Sequence, residues 1–289
     1  MKVKPECIAC IFERANFECD LAFFDEAKKM KCLTELLKYV SRNFKTETVP
    51  AKIGTYRENL IKKHNSDTDF YAELKKKSNE AGLNLLPIAK DFFKNSNDKL
   101  EALIRILAAA NTMEYGVKDH TYDHLTFHRV FEEILNENLN WEAEKIKSTI
   151  SKSENILYLL DNTGEVIFDI FAIEELIGMG KNVIVSPKKE PIINDVTAAD
   201  LKDIGFKSAP VVPSGSYIGV NPSTSPKKFL DIFWDPKYLI LAKGMGNYET
   251  ISDFDGKLKN RLIYILRAKC QPVATNIGAK KGELVAKLV

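Results

Sequence analysis

The chain has 289 residues, 45% hydrophobic and 28% charged, with a formal net charge of +2. That is enough chain for one large domain or two smaller ones, and the near-neutral charge gives no reason to expect nucleic acid or an anionic membrane as partner. No apolar run is long enough to span a bilayer, the opening "MKVKPECIAC" lacks the apolar core of a secretion signal, and five cysteines are an odd count for a disulfide framework, so a reducing cytoplasm is expected.

The first half reads as helix. Apolar residues recur at helical spacing over residues 21–44 and 69–96, with Gly82 and Pro87 as expected interruptions of the second stretch. "KLEALIRILAAANTMEYG" is strongly apolar and fits the centre of a helical bundle, and residues 124–150 are again amphipathic. No strand is expected before residue 150, which sets the division into a helical domain, 1–150, and a second domain, 151–289.

The second half changes character. "NILYLLD", "NVIVSP", "SAPVVP", "YLILAKG" and "RLIYILRA" are short apolar runs, with helical patterns such as "EVIFDIFAIEELIGMG" and "SPKKFLDIFWD" between several of them. Strands alternating with helices predict a Rossmann-like three-layer α/β/α domain with a mostly parallel sheet. Residues 211–226, "VVPSGSYIGVNPSTSP", form one long loop, and such loops in compact domains are usually functional or mobile.

Three polar clusters follow predicted strands, where ligands bind in open α/β sheets. The first is Asp161-Asn162-Thr163-Gly164-Glu165, the second contains Asn194 and Asp195, and the third is Lys243-Gly244 with Gly246, Asn247 and Glu249. Each alone is an ordinary turn or helix cap. Together, Asp161, Asn162 and Asp195 supply three hard oxygen donors of the kind magnesium or manganese prefers, with other first-row divalent ions left open. Gly164 lets backbone approach a ligand, the helix opening near Glu165 would aim N–H groups at an anion, and Lys243 and Lys188 would neutralise phosphate oxygens. That combination describes phosphoryl chemistry.

Two other patterns are weaker. Cys7 and Cys10 form a lone Cys-x-x-Cys, and Cys19, Cys32 and Cys270 offer no second pair, so a structural role is expected. His120, His124 and His128, with Asp119 and Asp123, lie at helical spacing, but a surface or capping role is the simpler reading. "GMGNYE" is no dinucleotide fingerprint, because Glu249 stands where the third glycine belongs.

The stretches "LLDNTGEVIFD", "PIINDVT" and "LAKGMGNYET", joined by "KPECIACIFERA", "DFYAELKKKSNEA", "AAANTMEYG" and "KCQPVATNIGAKKG", resemble in order the domain-of-unknown-function-89 family of metal-dependent damage-control phosphatases, in its prokaryotic Cys-x-x-Cys branch. The resemblance implies a helical domain packed on an α/β/α domain. It implies a divalent metal (manganese, nickel, cobalt or magnesium) on Asp161, Asn162 and Asp195, and phosphate on Lys243. Asn111 and Glu114 are expected to reach the site from the helical half and help Gly164, Glu165, Lys188 and Gly244 hold the substrate. The chain departs from the family pattern at Asp69-Phe70-Tyr71, Glu114 and Lys188, positions that bear on substrate choice rather than on the metal. The expected activity is hydrolysis of small phosphate monoesters, sugar phosphates or damaged phosphometabolites. The rivals are a carboxyl methyltransferase, which the absence of a glycine-rich cofactor turn disfavours, and a non-catalytic metal or nucleotide sensor.

Overall fold

The computed structural model describes residues 1–65, 69–112 and 124–289, apart from the side chains of 124–127. Strand β2, Asn155–Leu159, shows how the sequence sets the layers. Four of its five residues are buried, and they alternate between two cores. Ile156 and Tyr158 point into one, Leu157 and Leu159 into the other. A strand apolar on both faces needs cover on both sides. Helices α4 (Ala72–Asn95), α5 (Lys99–Ala110), α7 (Ala143–Lys152) and α8 (Val166–Gly178) cover one face. Helices α10 (Lys227–Phe233), α11 (Gly244–Ile251) and α12 (Gln271–Ile277) cover the other.

The six-stranded sheet has the order β1-β6-β5-β4-β2-β3. Strands β3 (Asn182–Ser186) and β4 (Tyr238–Lys243) flank β2 in parallel, and β5 (Leu262–Arg267) lies parallel to β4. Strand β6 (Leu284–Leu288) runs antiparallel to β5. The chain moves from β2 outward to β3 and then crosses to β4 on the other side. This reversal is the switch point beside which α/β sheets bind ligands. Leu159 pairs with both Ser186 and Ala242, so the polar segments after β2, β3 and β4 emerge at one level.

Helices α1 (Cys7–Ala22), α2 (Glu26–Asn43) and α3 (Pro50–His64) close around a core of their own with Phe70 and Tyr71. A small cluster of Ala51, Ile192 and Ile218 joins them to the α/β layers. Among the described residues no helix is long and apolar enough to cross a membrane.

Four local expectations change. Helix α4 runs unbroken through Gly82 and Pro87, because Leu85 and Ala89 are fully buried around the proline and tertiary packing outweighs propensity. Residues 124–150 are not one amphipathic segment. Helix α6 (His124–Leu135) ends, β1 (Leu139–Trp141) pairs in parallel with β6, and α7 follows. "SAPVVP" makes only the bridge Val185–Val211, since Pro210 and Pro213 remove the donors a ladder needs. The terminal strand β6, unforeseen, supplies the sheet's one antiparallel pairing among the described residues.

Candidate functional site

Strand β2 delivers Asp161 to the sheet edge, and backbone pairing brings the second acidic cluster to it. Asn162 and Asp195 form an antiparallel bridge. Val196 N donates to Asp161 O at 2.8 Å and Thr163 N to Asn194 O at 2.9 Å. Between these contacts Ile193 sits at φ 41°, a left-handed conformation that is strained for a β-branched residue and typical of functional sites. The third cluster arrives without a loop: Lys243 ends β4 and Gly244 begins α11. Gly244 has φ +74°, and a Cβ there would collide with the Asp161 carboxylate. Asn247 Nδ2 clamps the two tips, donating to Leu160 O at 3.1 Å and Lys243 O at 2.8 Å.

The helical half closes the site from behind. Asn111 Nδ2 donates to Asp161 Oδ2 at 3.1 Å and to Glu165 Oε2 at 2.7 Å, while its Oδ1 accepts from Arg267 N at 3.1 Å. Asn162 Nδ2 donates to Asp161 Oδ2 at 2.8 Å. Gly164, at φ +84°, lies just before α8 and donates its N–H to Asn79 Oδ1 at 2.8 Å. Gly82 is what lets α4 come this close, because a Cβ on it would press on Gly164 O and Ile167.

Charge is unbalanced here. Asp161, Glu165, Asp169 and Asp195 are all buried, against the buried ammonium groups of Lys188 and Lys243; buried Lys75, paired with Asp69 and Asp200, also acts on Asp195. Lys243 lies 3.1 Å from Asp169 and 3.7 Å from Glu165. Lys188 lies 3.7 Å from Asp195 and donates to Gly219 O at 2.6 Å. Burial, then the charges of Glu165 and Asp195, push Asp161 well above the usual carboxylate range. Burial also raises Asp195 and Asp169 to about 6. Burial pulls the Lys188 ammonium down, whereas around Lys243 the carboxylates of Asp169 and Glu165 overcome the same effect and raise it. Asp195 Oδ1 and Asn194 Oδ1 are buried without a hydrogen-bond partner.

Surplus negative charge, an orphaned carboxylate oxygen and an adjacent amide fit a hard divalent cation. Among the described residues no three His, Cys, Asp or Glu side chains converge as a metal site by themselves, so the Asn162 amide is an integral part of the candidate donor set.

Asp161, Asn162 and Asp195 open into a cavity of about 500 Å³. Lys243, Lys188, Glu165 and Asn111 do not line it; they stand behind the carboxylates. The cavity's cations are instead Arg14, Arg57, Lys269 and Lys281. Lys269 is close enough for its charge to draw Asp161 downward. Sequence reasoning missed it, although it follows β5 at the same sheet edge and the strand-end rule would have found it. The fold also brings Cys7, Cys10 and Cys270 to this cavity, joining a motif that was set apart in the sequence. All three are free thiols, raised by burial. Glu114, Asp119, His120 and Asp123 lie outside the described residues, as does the side chain of His124.

Comparison with known proteins concerns the chain as a whole. A sequence model described as the damage-control phosphatase ARMT1-like domain matches residues 3–285. An uncharacterised protein of Methanocaldococcus jannaschii is 32% identical over 99% of this chain and 95% of its own length. A damage-control phosphatase of Archaeoglobus fulgidus is 31% identical over the whole of both chains. The crystal structure of a DUF89-family protein from Pyrococcus horikoshii matches with a TM-score of 0.88 and 26% identity, over 100% of this chain and 99% of that one. A match from residue 3 to 285 leaves almost nothing of the chain outside it, and the chain therefore belongs to the damage-control phosphatase ARMT1-like family.

Proposed function

We propose that this chain is a metal-dependent phosphatase that hydrolyses small phosphate monoesters of damaged metabolites. One observation carries the metal: the Asp161–Asn162–Asp195 cluster is buried with an orphaned oxygen and excess negative charge, yet opens to a ligand-sized cavity. Relatives named as damage-control phosphatases support the reaction class. A cytoplasmic location and a small phosphorylated metabolite as partner belong to the same reading.

Asp161, Asn162 and Asp195 would hold one divalent ion, manganese, nickel, cobalt or magnesium. Such an ion, when bound, supplies Lewis-acid polarisation of phosphoryl oxygens. The chain's own residues supply the rest. Lys269, on the cavity wall, meets the phosphate oxygens and stabilises charge as it shifts in the transition state. Lys243 and Lys188 act from behind. Each holds a carboxylate in place and limits the repulsion in the cluster. Asn111 fixes Asp161 and Glu165 with one amide and ties both to β5. Burial and the charges of Glu165 and Asp195 raise the proton affinity of Asp161, so protons compete with a cation for this carboxylate.

Phosphate release from p-nitrophenyl phosphate after exhaustive chelation, with metal content measured on the same sample, tests this. Activity should fall roughly a hundredfold or more and return with at least one of the four ions. Full turnover at near-zero metal content would sink the reading.

A further inference from the structure

The cavity wall changes character with depth. At its floor stand Asp161, Asn162 and Asp195, and at its mouth the exposed polar residues Glu6, Gln271 and Lys281. Beside the cavity's polar residues, Ile11, Ala51, Ile193, Ile218, Met245 and Pro272 form an apolar band of its wall. These six come from α1, α3, two separate loops, α11 and α12, so the band is not the stray face of one helix.

Three polar groups beside the band already have partners. Arg57 gives Glu18 two bonds, at 2.5 and 2.7 Å. The N-terminal amine of Met1 donates to the Glu249 carbonyl and the Ser252 hydroxyl, and the Glu249 carboxylate accepts from Ala51 N. A hydroxyl pressed against these apolar side chains would lose water without gaining a partner from them, which costs binding energy.

Ile218 is the residue of the band whose loop is held from several sides. Its N–H donates to Thr55 Oγ1 at 3.1 Å, and the next residue but one, Val220, donates to Thr250 Oγ1 at 2.9 Å. Between them Gly219, at φ +70°, has no room for a Cβ, and its carbonyl receives Lys188 Nζ at 2.6 Å. Gly54 and Gly246 clear the space for the side chain: a Cβ on either would lie 3.0 or 3.1 Å from Ile218 carbons. The long loop expected to be functional or mobile is thus tied to α3, α11 and the site lysine at once.

We propose that the phosphate ester taken by this cavity carries an apolar body, alkyl, aryl or heteroaromatic, in preference to the polyol of a sugar phosphate, and that Ile218 is a residue that sets the choice. The inference rests on the phosphatase reading for the floor of the cavity alone. Each buried methylene contributes about 0.8 kcal/mol, roughly a fourfold gain in affinity.

The test titrates the metal-loaded full chain calorimetrically with methyl-, ethyl-, butyl- and hexylphosphonate, which are not hydrolysed, and with the phosphonate analogue of glucose 6-phosphate. Affinity should rise at least tenfold from ethyl to hexyl, and the sugar phosphonate should bind more weakly than the hexyl compound. Ile218→Ser should flatten the chain-length gradient while leaving methylphosphonate affinity unchanged. Met245→Gln, at a half-buried position, should flatten it too and serves if Ile218→Ser folds poorly. A flat gradient in the parent, or tightest binding of the sugar analogue, overturns the proposal. Phosphate release from hexyl phosphate and glucose 6-phosphate forms a separate arm. No release from either would overturn the phosphatase reading, while a preserved gradient would still uphold the apolar body.

Discussion

Glu18 in α1 and Asp161 beyond β2 are both removed from water, and their surroundings could hardly differ more. Glu18 receives Arg57 through two nitrogens, Arg14 Nε at 3.2 Å and the Tyr71 hydroxyl at 3.2 Å. Its charge is paired and both oxygens are used. Asp161 receives two neutral amide donors and faces Glu165 and Asp195, whose charges add to burial in raising its proton affinity. A buried carboxylate is therefore not a functional sign by itself. The sign is a carboxylate that the fold buries and leaves unbalanced, because only a further cation completes it.

The largest effects should come from removing the imbalance. Asp161→Asn keeps the shape and takes away one negative charge. Turnover should fall on the order of 10³-fold. The metal-free protein should be as stable as the parent or more so, since a repelling charge has gone, and the rise in melting temperature on adding metal should shrink. A variant that melts well below the metal-free parent would mean that the carboxylate serves the fold instead. Arg57→Ala is the opposite experiment. It strands Glu18 in the helical core, at a cost of about 3–5 kcal/mol, which is about 10 °C in a chain of this size. Thermal melts with and without chelator should show the same loss, because no metal is involved.

How much of this contrast was legible in the sequence depends on distance along the chain. The polar breaks at 161–165, 194–195 and 243–247 stood out because each interrupts an apolar run locally. Their meeting followed from the parallel sheet that the alternating pattern predicts. Partners from far away were not legible. Lys243 reads as a phosphate ligand until its side chain is seen fully buried, 3.1 Å from Asp169, an acid one helical turn beyond Glu165 that carried no signal of its own. Lys269 and Cys270 reach the cavity only because β5 lies next to β4. Strands β1 and β6 were missed for a similar reason: a three-residue strand and a terminal five-residue strand have little periodicity, and they are strands because they pair with each other and with β5. Pro87 and Gly82 misled in the other direction, since local punctuation yields to packing on both sides of α4.

Two of the site's lysines sharpen the comparison at an intermediate scale. Lys269→Ala should reduce turnover about a hundredfold and raise the KM for phosphate esters, with the melting temperature little changed, because this ammonium lines the cavity and is only half-buried. Lys243→Met should instead lower the melting temperature, since it leaves Asp169 and Glu165 buried without their cation. Steady-state kinetics beside thermal melts on both variants decide the matter. Equal stability losses would erase the distinction between a cavity cation and a supporting one.

The smallest effect lies in the helical core, where the pairing of Glu18 leaves a neighbour over. Glu58 is buried, with one oxygen 3.2 Å from Lys62 Nζ and the other without a hydrogen-bond partner. Burial, then the charge of Glu18, raises its pKa to about 7, against roughly 4.3 in an unfolded chain. The folded protein thus holds a proton that the unfolded chain releases. The stability this contributes is fully present below about pH 4 and is lost as pH rises through about 7. Glu58→Gln removes the titration and keeps the shape. Parent and variant should melt alike near pH 4. At pH 8 the variant should be more stable, by on the order of 1 kcal/mol, or about 2–4 °C. Asp169 and Asp195, at about 6, and Glu249, at about 7, titrate in the same range, so the parent's own slope is shared among them. The difference between the two melting curves isolates Glu58, and curves that stay parallel from pH 4 to 8 would assign the whole slope to the other buried carboxylates.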